Sequence, residues 1–156
     1  MEAVQSLSDY ELERGKPMPS RNHARVQIYL GAALLRYDEK YSMFSELTLE
    51  LAGTQYTPDI SVYPKLPTDW QHDEVRKTEP PLMVVEILSP VQPLDDLLRK
   101  ADAYFEAGVR SCWIVQPSLE AIAVLEPGEK PRLYSSGEVR DPATDVSVRV
   151  EEIFKS

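Results

Sequence analysis

The chain has 156 residues, 42% of them hydrophobic and 28% charged, which predicts a single globular domain (1–156) with a real core. Lys and Arg number 17 against 26 Asp and Glu, giving a formal net charge of −9. This balance excludes the broad basic face of a nucleic-acid coat, but not an enzyme that meets phosphates through a divalent cation. With one cysteine, Cys112, and two histidines, a disulfide framework, a cysteine-rich zinc site and a His-rich metal cage are excluded.

The sequence predicts neither secretion nor membrane insertion. Residues 1–12 contain no basic segment that leads into an apolar one, as a secretory signal would. The longest uncharged apolar run, at 80–85, is far shorter than the roughly 20 residues that a membrane helix needs. We therefore expect a cytoplasmic protein.

In chain order, residues 10–14 predict a short strand that ends at Gly15. Ser20 is a plausible N-cap for a helix that reaches about Tyr37. Its apolar face is predicted to hold Ala24, Ile28, Ala32 and Leu35. Partial alternation at 41–51 predicts a strand.

A second strand is predicted at 59–63, with Ile60 and Val62 on one side, and a long polar surface loop follows at 65–79. The nearly continuous apolar segment 82–88 predicts a central strand that is covered on both faces. A helix at 95–107, stopped by Gly108, and an apolar strand at 112–115 complete a βαβ unit, whose two strands should be parallel. Residues 121–125 and 132–134 predict a C-terminal hairpin, and 146–154 a final strand or short helix.

Glu86 interrupts the apolar strand at 82–88. An unpaired buried carboxylate would cost several kcal/mol, so Glu86 is paired, binds a metal or is protonated. Alternation places Val84, Glu86 and Leu88 on one face of the strand. A structural ion pair and a functional acid are equally compatible with this residue alone.

Asp59 begins the second strand, directly after Pro58. A Pro-Asp pair by itself is typical of a turn. If the strand of Asp59 neighbours that of Glu86, the two carboxylates converge and would hold a hard cation such as Mg²⁺, with water completing the shell. The cation would polarise a phosphate and help to ionise a bound water.

Lys100 lies at the edge of the apolar face of the predicted helix at 95–107. Its stem can lie on apolar surface while the ammonium turns toward the sheet. Alternatively, Lys100 is a boundary lysine whose ammonium only extends into solvent. The sequence supports these two interpretations about equally.

Four segments together resemble the Uma2 family of the restriction endonuclease-like, PD-(D/E)xK superfamily. They are Pro58-Asp59, then Val84 to Pro90 (VVEILSP), then Asp96 to Lys100 with Tyr104 and Ala107-Gly108-Val109, and finally Trp113-Ile114-Val115 with Pro117. The order and the spacing agree from about Leu12 to Phe154.

The resemblance implies an α/β (α+β) restriction endonuclease-like fold, in which helices flank a mixed central β-sheet, with a C-terminal β-hairpin. It also implies a Mg²⁺- or Mn²⁺-dependent phosphodiesterase site, in which Asp59 and Glu86 bind the metal. The superfamily's usual lysine position, two residues after the second acid, holds Leu88 here. In Uma2-like sequences the lysine comes from the next helix, and Lys100 matches that position.

Accessory residues are less well defined. Where many superfamily members place an acid on the first helix, this chain has Asn22 and His23. His23 could accept a proton, contact phosphate or only cap and pack the helix. Tyr104 is a further accessory candidate. Glu50, Glu11 and Glu46 are weaker candidates for an additional acid, and a solvated strand face is the favoured interpretation of all three.

Two functions follow. The first is a Mg²⁺-dependent endonuclease-like phosphodiesterase that acts on DNA, with Asp59, Glu86 and Lys100 as its catalytic residues. The acidic composition argues against tight DNA binding by a monomer, so we expect a homodimer, for which the C-terminal hairpin is a candidate surface. The alternative is a non-catalytic endonuclease-like domain that serves as a protein or nucleic-acid interaction module.

Overall fold

The computed structural model describes residues 9–156. This part of the chain contains four α-helices and eleven strands, besides two short 3-10 helices. They are α1 (Asp9–Arg14), α2 (Arg21–Leu34), β1 (Tyr41–Ser45), β2 (Thr48–Leu51), β3 (Thr54–Tyr56), β4 (Ile60–Pro64), β5 (Arg76–Lys77), β6 (Met83–Ile87), α3 (Leu94–Glu106), β7 (Ser111–Gln116), β8 (Ala121–Leu125), β9 (Arg132–Tyr134), β10 (Glu138–Arg140), β11 (Ser147–Arg149) and α4 (Val150–Ile153).

A six-stranded mixed sheet in the order β1-β4-β6-β7-β8-β9 organises the molecule. Strands β6 and β7 are parallel and connected through α3, which confirms the predicted βαβ unit. The other neighbouring pairs are antiparallel, including the predicted C-terminal hairpin of β8 and β9. Two small sheets, β3-β2-β5 and β10-β11, lie outside it. The mixed sheet with flanking helices is the predicted fold class.

Strand β6 is buried along its whole length because helices cover both faces of the sheet. Its residues Met83, Val85 and Ile87 pack in one apolar cluster with α2 and α4. Val84 packs on the opposite face with α3. A continuous apolar strand between two helical layers is the pattern from which a central position was predicted.

Helix α3 ends as the sequence predicts. Gly108 follows the helix with a backbone φ of +105°, and a Cβ atom there would lie 3.3 Å from Cγ of Pro80. Glycine therefore serves both the left-handed turn and the close approach of the preceding loop.

The predicted strand at 10–14 is wrong, because these residues lie in α1. The backbone N–H of Gly15 donates to the carbonyl of Glu11 at 2.9 Å, which closes a helical turn, and Gly15 ends it at φ +66°. Five residues that alternate between polar and apolar are too few to distinguish a period of two from one of 3.6.

The predicted start of the second helix is confirmed, since the Ser20 side chain accepts a hydrogen bond from the N–H of His23 at 3.2 Å. The predicted apolar face is wrong: Ile28 and Leu35 are 70% and 62% exposed. The helix instead buries His23, Val26, Leu30, Ala33 and Leu34. The i, i+4 pair of Val26 and Leu30 packs on the sheet, while His23 takes a polar position at its edge.

The predicted strand at 41–51 divides into β1 and β2. Glu46 lies between them with a left-handed φ of +51°, which turns the chain out of the main sheet. Among residues 9–156, no helix is long and apolar enough to cross a bilayer.

Candidate functional site

Asp59 and Glu86 lie beside each other at one edge of the central sheet. Ile60 on β4 pairs with Val85 on the antiparallel strand β6, so the preceding Asp59 lies opposite Glu86. The N–H of Ile87 donates to Oδ2 of Asp59 at 2.7 Å, which fixes the Asp59 side chain against β6. Both acids are buried, at 0% and 2% exposure. The structure thus places next to each other the two carboxyl groups that sequence analysis proposed as metal ligands.

Two basic side chains contact Asp59 at the same oxygen. Nζ of Lys16 lies 2.5 Å from Oδ1 and also donates to the carbonyl of Thr57 at 3.0 Å. Nε2 of His23 lies 3.1 Å from Oδ1. Oδ1 therefore has a partner on each of two sides, and Oδ2 is bound to the backbone of β6.

These contacts decide the charge of Asp59. Burial by itself raises the pKa of a carboxyl group, but the hydrogen bond from His23 and the charge of Lys16 outweigh it. The pKa of Asp59 is therefore lowered from its ordinary value, and Asp59 is a carboxylate at neutral pH.

Glu86 behaves in the opposite way. Burial raises its pKa, and the negative charge of Asp59 raises it further. The charges of Lys100 and Lys16 and a hydrogen bond from Tyr104 oppose this without cancelling it. The hydroxyl of Tyr104 donates to Oε1 of Glu86 at 2.6 Å. Two neighbouring carboxylates with displaced pKa values form a like-charge pair that a cation would stabilise.

Tyr104 is the accessory candidate that contacts Glu86 directly. It lies fully buried on α3, and burial together with the charge of Glu86 raises its pKa well above the ordinary value. Tyr104 therefore remains a protonated donor. It orients Glu86, and its ring packs edge-on against Tyr56 with 5.3 Å between centroids.

Lys100 lies one helical turn before Tyr104 and is half-buried. Its positive charge acts on Glu86 to lower the pKa of that carboxyl group. Lys100 is thus close enough to act on the charge of Glu86, whereas its neighbour Arg99 is bound to Asp96 at 2.5 Å on the exposed side of α3.

The remaining candidates have other partners. Glu50, on β2, pairs with Arg76 at 3.6 Å. Oε2 of Glu11 accepts the N–H of Met18. Glu46 lies next to the site through its backbone, because its N–H donates to the carbonyl of Asp59 at 3.0 Å.

The donor set suits a hard divalent cation. Carboxylate oxygens are the ligands that Mg²⁺ and Mn²⁺ prefer, and Mg²⁺ commonly uses one or two of them and water for the rest. Within the described ranges, no group of three or more His, Cys, Asp and Glu side chains is arranged to hold an ion. Asp59 and Glu86 are the residues that would hold such an ion.

Sequence reasoning missed Lys16. Its neighbours Gly15, Pro17 and Pro19 indicate a connection, and a lysine in a connection is usually solvated. No periodic signal marks Lys16, and only the fold brings it to Asp59, 43 residues away along the chain.

Comparisons with known proteins agree with this architecture. The Uma2 family, described as "Putative restriction endonuclease", matches residues 4–154. A crystal structure from Anabaena variabilis, described as "a putative nuclease belonging to DUF820", is 20% identical and superposes with a TM-score of 0.76 over 88% of this chain and 83% of that one. No protein with curated annotation matches. Because the family match spans nearly the entire sequence, the chain belongs to the Uma2 family.

Proposed function

We propose that this chain is a Mg²⁺- or Mn²⁺-dependent endonuclease-like phosphodiesterase that acts on DNA. The observation that carries the proposal is the buried pair of Asp59 and Glu86, side by side at one end of the central strands. Family membership supports the nuclease class. Asp59 and Glu86 hold the ion, and Lys100 assists the reaction.

Each residue contributes through its position and charge. A bound divalent ion supplies Lewis-acid polarisation of a phosphate and a lowered pKa for water. Asp59 is kept ionised by His23 and Lys16, and Tyr104 holds one oxygen of Glu86. The ammonium of Lys100 stabilises negative charge that develops on the phosphate.

A cleft lined by several basic side chains supports a nucleic-acid substrate. Arg21, Arg25 and Lys155 line a cavity of about 450 Å³ together with Ser118 and one acid, Glu120. Nη2 of Arg25 donates to the carbonyl of Lys155 at 3.1 Å, and its guanidinium lies 4.5 Å from the ring centroid of Tyr29. The cluster was invisible in the sequence because Arg25 and Lys155 are 130 residues apart.

The cleft lies beyond the carboxyl ends of the central strands, since its residue Ser118 follows β7, whose carboxyl end lies beside that of β6. His23, which reaches Asp59, is two positions from both Arg21 and Arg25 on α2, so its side chain points to a different side of the helix. The cleft is therefore a basic contact separate from the acid pair. Its positive charge would offset part of the repulsion between DNA and a chain of net charge −9.

Replacing Lys100 tests the proposed chemistry. The Lys100→Met protein should cleave DNA roughly 100-fold more slowly at saturating Mg²⁺, because one electrostatic contribution to the transition state is lost. Arg99→Met is the matched control, since it removes a cation from the adjacent exposed position and should cleave normally. Cleavage of a labelled duplex by both proteins is the measurement, and equal rates would remove Lys100 from the site.

Replacing the cleft arginines tests the substrate surface. The Arg21→Ala/Arg25→Ala protein should bind duplex DNA about tenfold more weakly, and the slope of log affinity against log salt should fall by about 2. Arg132→Ala, on the far edge strand β9, removes an exposed charge elsewhere and should leave the affinity unchanged. Fluorescence anisotropy over a salt series measures both quantities. An unchanged slope in the double variant would exclude the cleft from the DNA surface.

A homodimer would place two such clefts on one duplex, and it remains a prediction, as does a cytoplasmic location. Sedimentation velocity measures the former. The alternative function, a non-catalytic interaction module, requires a protein that binds DNA or a protein partner without binding Mg²⁺ or Mn²⁺.

A further inference from the structure

In the proposed function, Lys16 only helps to keep Asp59 ionised, and its burial calls for a further explanation. It is only 9% exposed, and its ammonium is shared between Oδ1 of Asp59 at 2.5 Å and the carbonyl of Thr57 at 3.0 Å. A lysine rarely takes such a position, because burial costs its long side chain both hydration and rotamer freedom. In this arrangement it neutralises one charge of a buried acid pair.

The position of Lys16 conflicts with that of a metal ion. A carboxylate oxygen that ligates a divalent cation cannot also hold an ammonium group at 2.5 Å without strong repulsion between the two cations. The other oxygen of Asp59 is bound by the N–H of Ile87, and His23 already occupies a second side of Oδ1. The place of the ammonium is therefore the direct route for an ion to Asp59.

The segment that carries Lys16 contributes no residue to the two apolar clusters of the core. It connects α1 with α2, and Met18 and Pro19 next to it are exposed. Besides the two bonds of Lys16, the hydrogen bond from Met18 N–H to Glu11 ties this segment to α1, at the surface. Among the contacts of the described residues, release of Lys16 would break those to Asp59 and Thr57.

We propose that Lys16 is an internal counter-cation of the acid pair that a divalent metal ion displaces from Asp59. The inference rests on the proposed metal site and adds its regulation: the ammonium holds the two acids in the metal-free protein and leaves when the ion binds. Metal affinity is then lowered by competition with a residue of the chain itself.

Two readouts that do not depend on cleavage test the proposal. In calorimetry of metal-stripped protein, Lys16→Met should bind Mn²⁺ roughly 10- to 100-fold more tightly than wild type, as expected for removal of a competing interaction. Lys130→Met, which removes an exposed lysine, controls for the change in net charge and should bind like wild type.

The second readout uses the wild-type protein. Amine acetylation followed by mass spectrometry should find Lys16 protected without metal and reactive at saturating Mn²⁺, whereas Lys130 should react equally in both states. If calorimetry shows Mn²⁺ bound and Lys16 stays protected, displacement is wrong, whatever the affinity of Lys16→Met, and the metal site itself stands. If neither wild type nor Lys16→Met binds Mn²⁺, the proposed function fails and the inference fails with it. Binding by Lys16→Met alone would show that Lys16 excludes the ion from the wild-type site, and would overturn displacement.

Discussion

The Asp59→Asn protein is expected to lose divalent-ion binding and DNA cleavage together. Changes in residues that only support a ligand weaken metal affinity by about 10- to 100-fold, so the loss of a ligand carboxylate should exceed that range. The amide keeps the size of the side chain and can still accept the N–H of Ile87. Calorimetry with Mn²⁺ and a cleavage assay are the measurements.

The same substitution should destabilise the metal-free protein. Lys16 would remain buried against a neutral amide, and removal of one partner from a buried ion pair typically costs 3–5 kcal/mol. Because the charge of Glu86 also acts on Lys16, we expect the lower end, about 3 kcal/mol. Urea unfolding in EDTA measures it. An Asp59→Asn protein as stable as wild type that still binds Mn²⁺ would contradict both roles of this residue.

The Glu86→Gln protein should also lose metal binding, but its stability should change in the opposite direction. Burial and Asp59 both disfavour the charged form of Glu86, and the neutral amide removes that penalty while still accepting the hydroxyl of Tyr104. We expect the free energy of unfolding to rise by on the order of 1 kcal/mol at neutral pH.

The stability gain expected for Glu86→Gln depends on pH. A raised pKa in the folded protein means that ionisation of Glu86 costs stability as pH rises through that pKa. At a pH below 4.5, the ordinary pKa of a glutamate, Glu86 is protonated in both the folded and the unfolded protein, so the cost of burying its charge is absent. The advantage of Glu86→Gln in EDTA should therefore be small in acid and grow toward neutral pH. A constant difference across the range would show that burial of the charge is not its cause.

If Asp59→Asn lowers stability and Glu86→Gln raises it while both abolish metal binding, the two acids share a role in metal binding but differ in their effect on folding. Asp59 is stabilised by the cations around it, whereas Glu86 is a carboxylate that the fold accommodates at a cost. Retention of such a cost is typical of functional sites, where activity and stability conflict.

The local patterns of the sequence predicted the sheet and its acids well, because strands such as β6 have a simple apolar signal. Glu86 is the charged residue in that apolar segment, and the predicted βαβ unit places α3, which carries Lys100 and Tyr104, next to strand β6. Asp59 carried little information alone, and its importance depended on strand β4 lying beside β6. The structure supplies that strand order, and the catalytic roles of these residues stay predictions.

What sequence reasoning missed depends on contacts between distant segments. Lys16 lies in a Pro-rich connection, and the cleft requires Arg25 to meet Lys155. The buried face of α2 was also misjudged, because Ile28 fits a helical stripe as well as Val26 does. Only the packed sheet decides between the two stripes, since it places His23 at Asp59.

The most direct measurement is anomalous diffraction from crystals of the wild-type protein soaked in Mn²⁺. A peak at roughly 2.0–2.2 Å from a carboxylate oxygen of Asp59 and from one of Glu86 is the predicted result. An ordered Mn²⁺ ion bound elsewhere, or none at saturating concentration, would contradict the claim that these two side chains form a metal site.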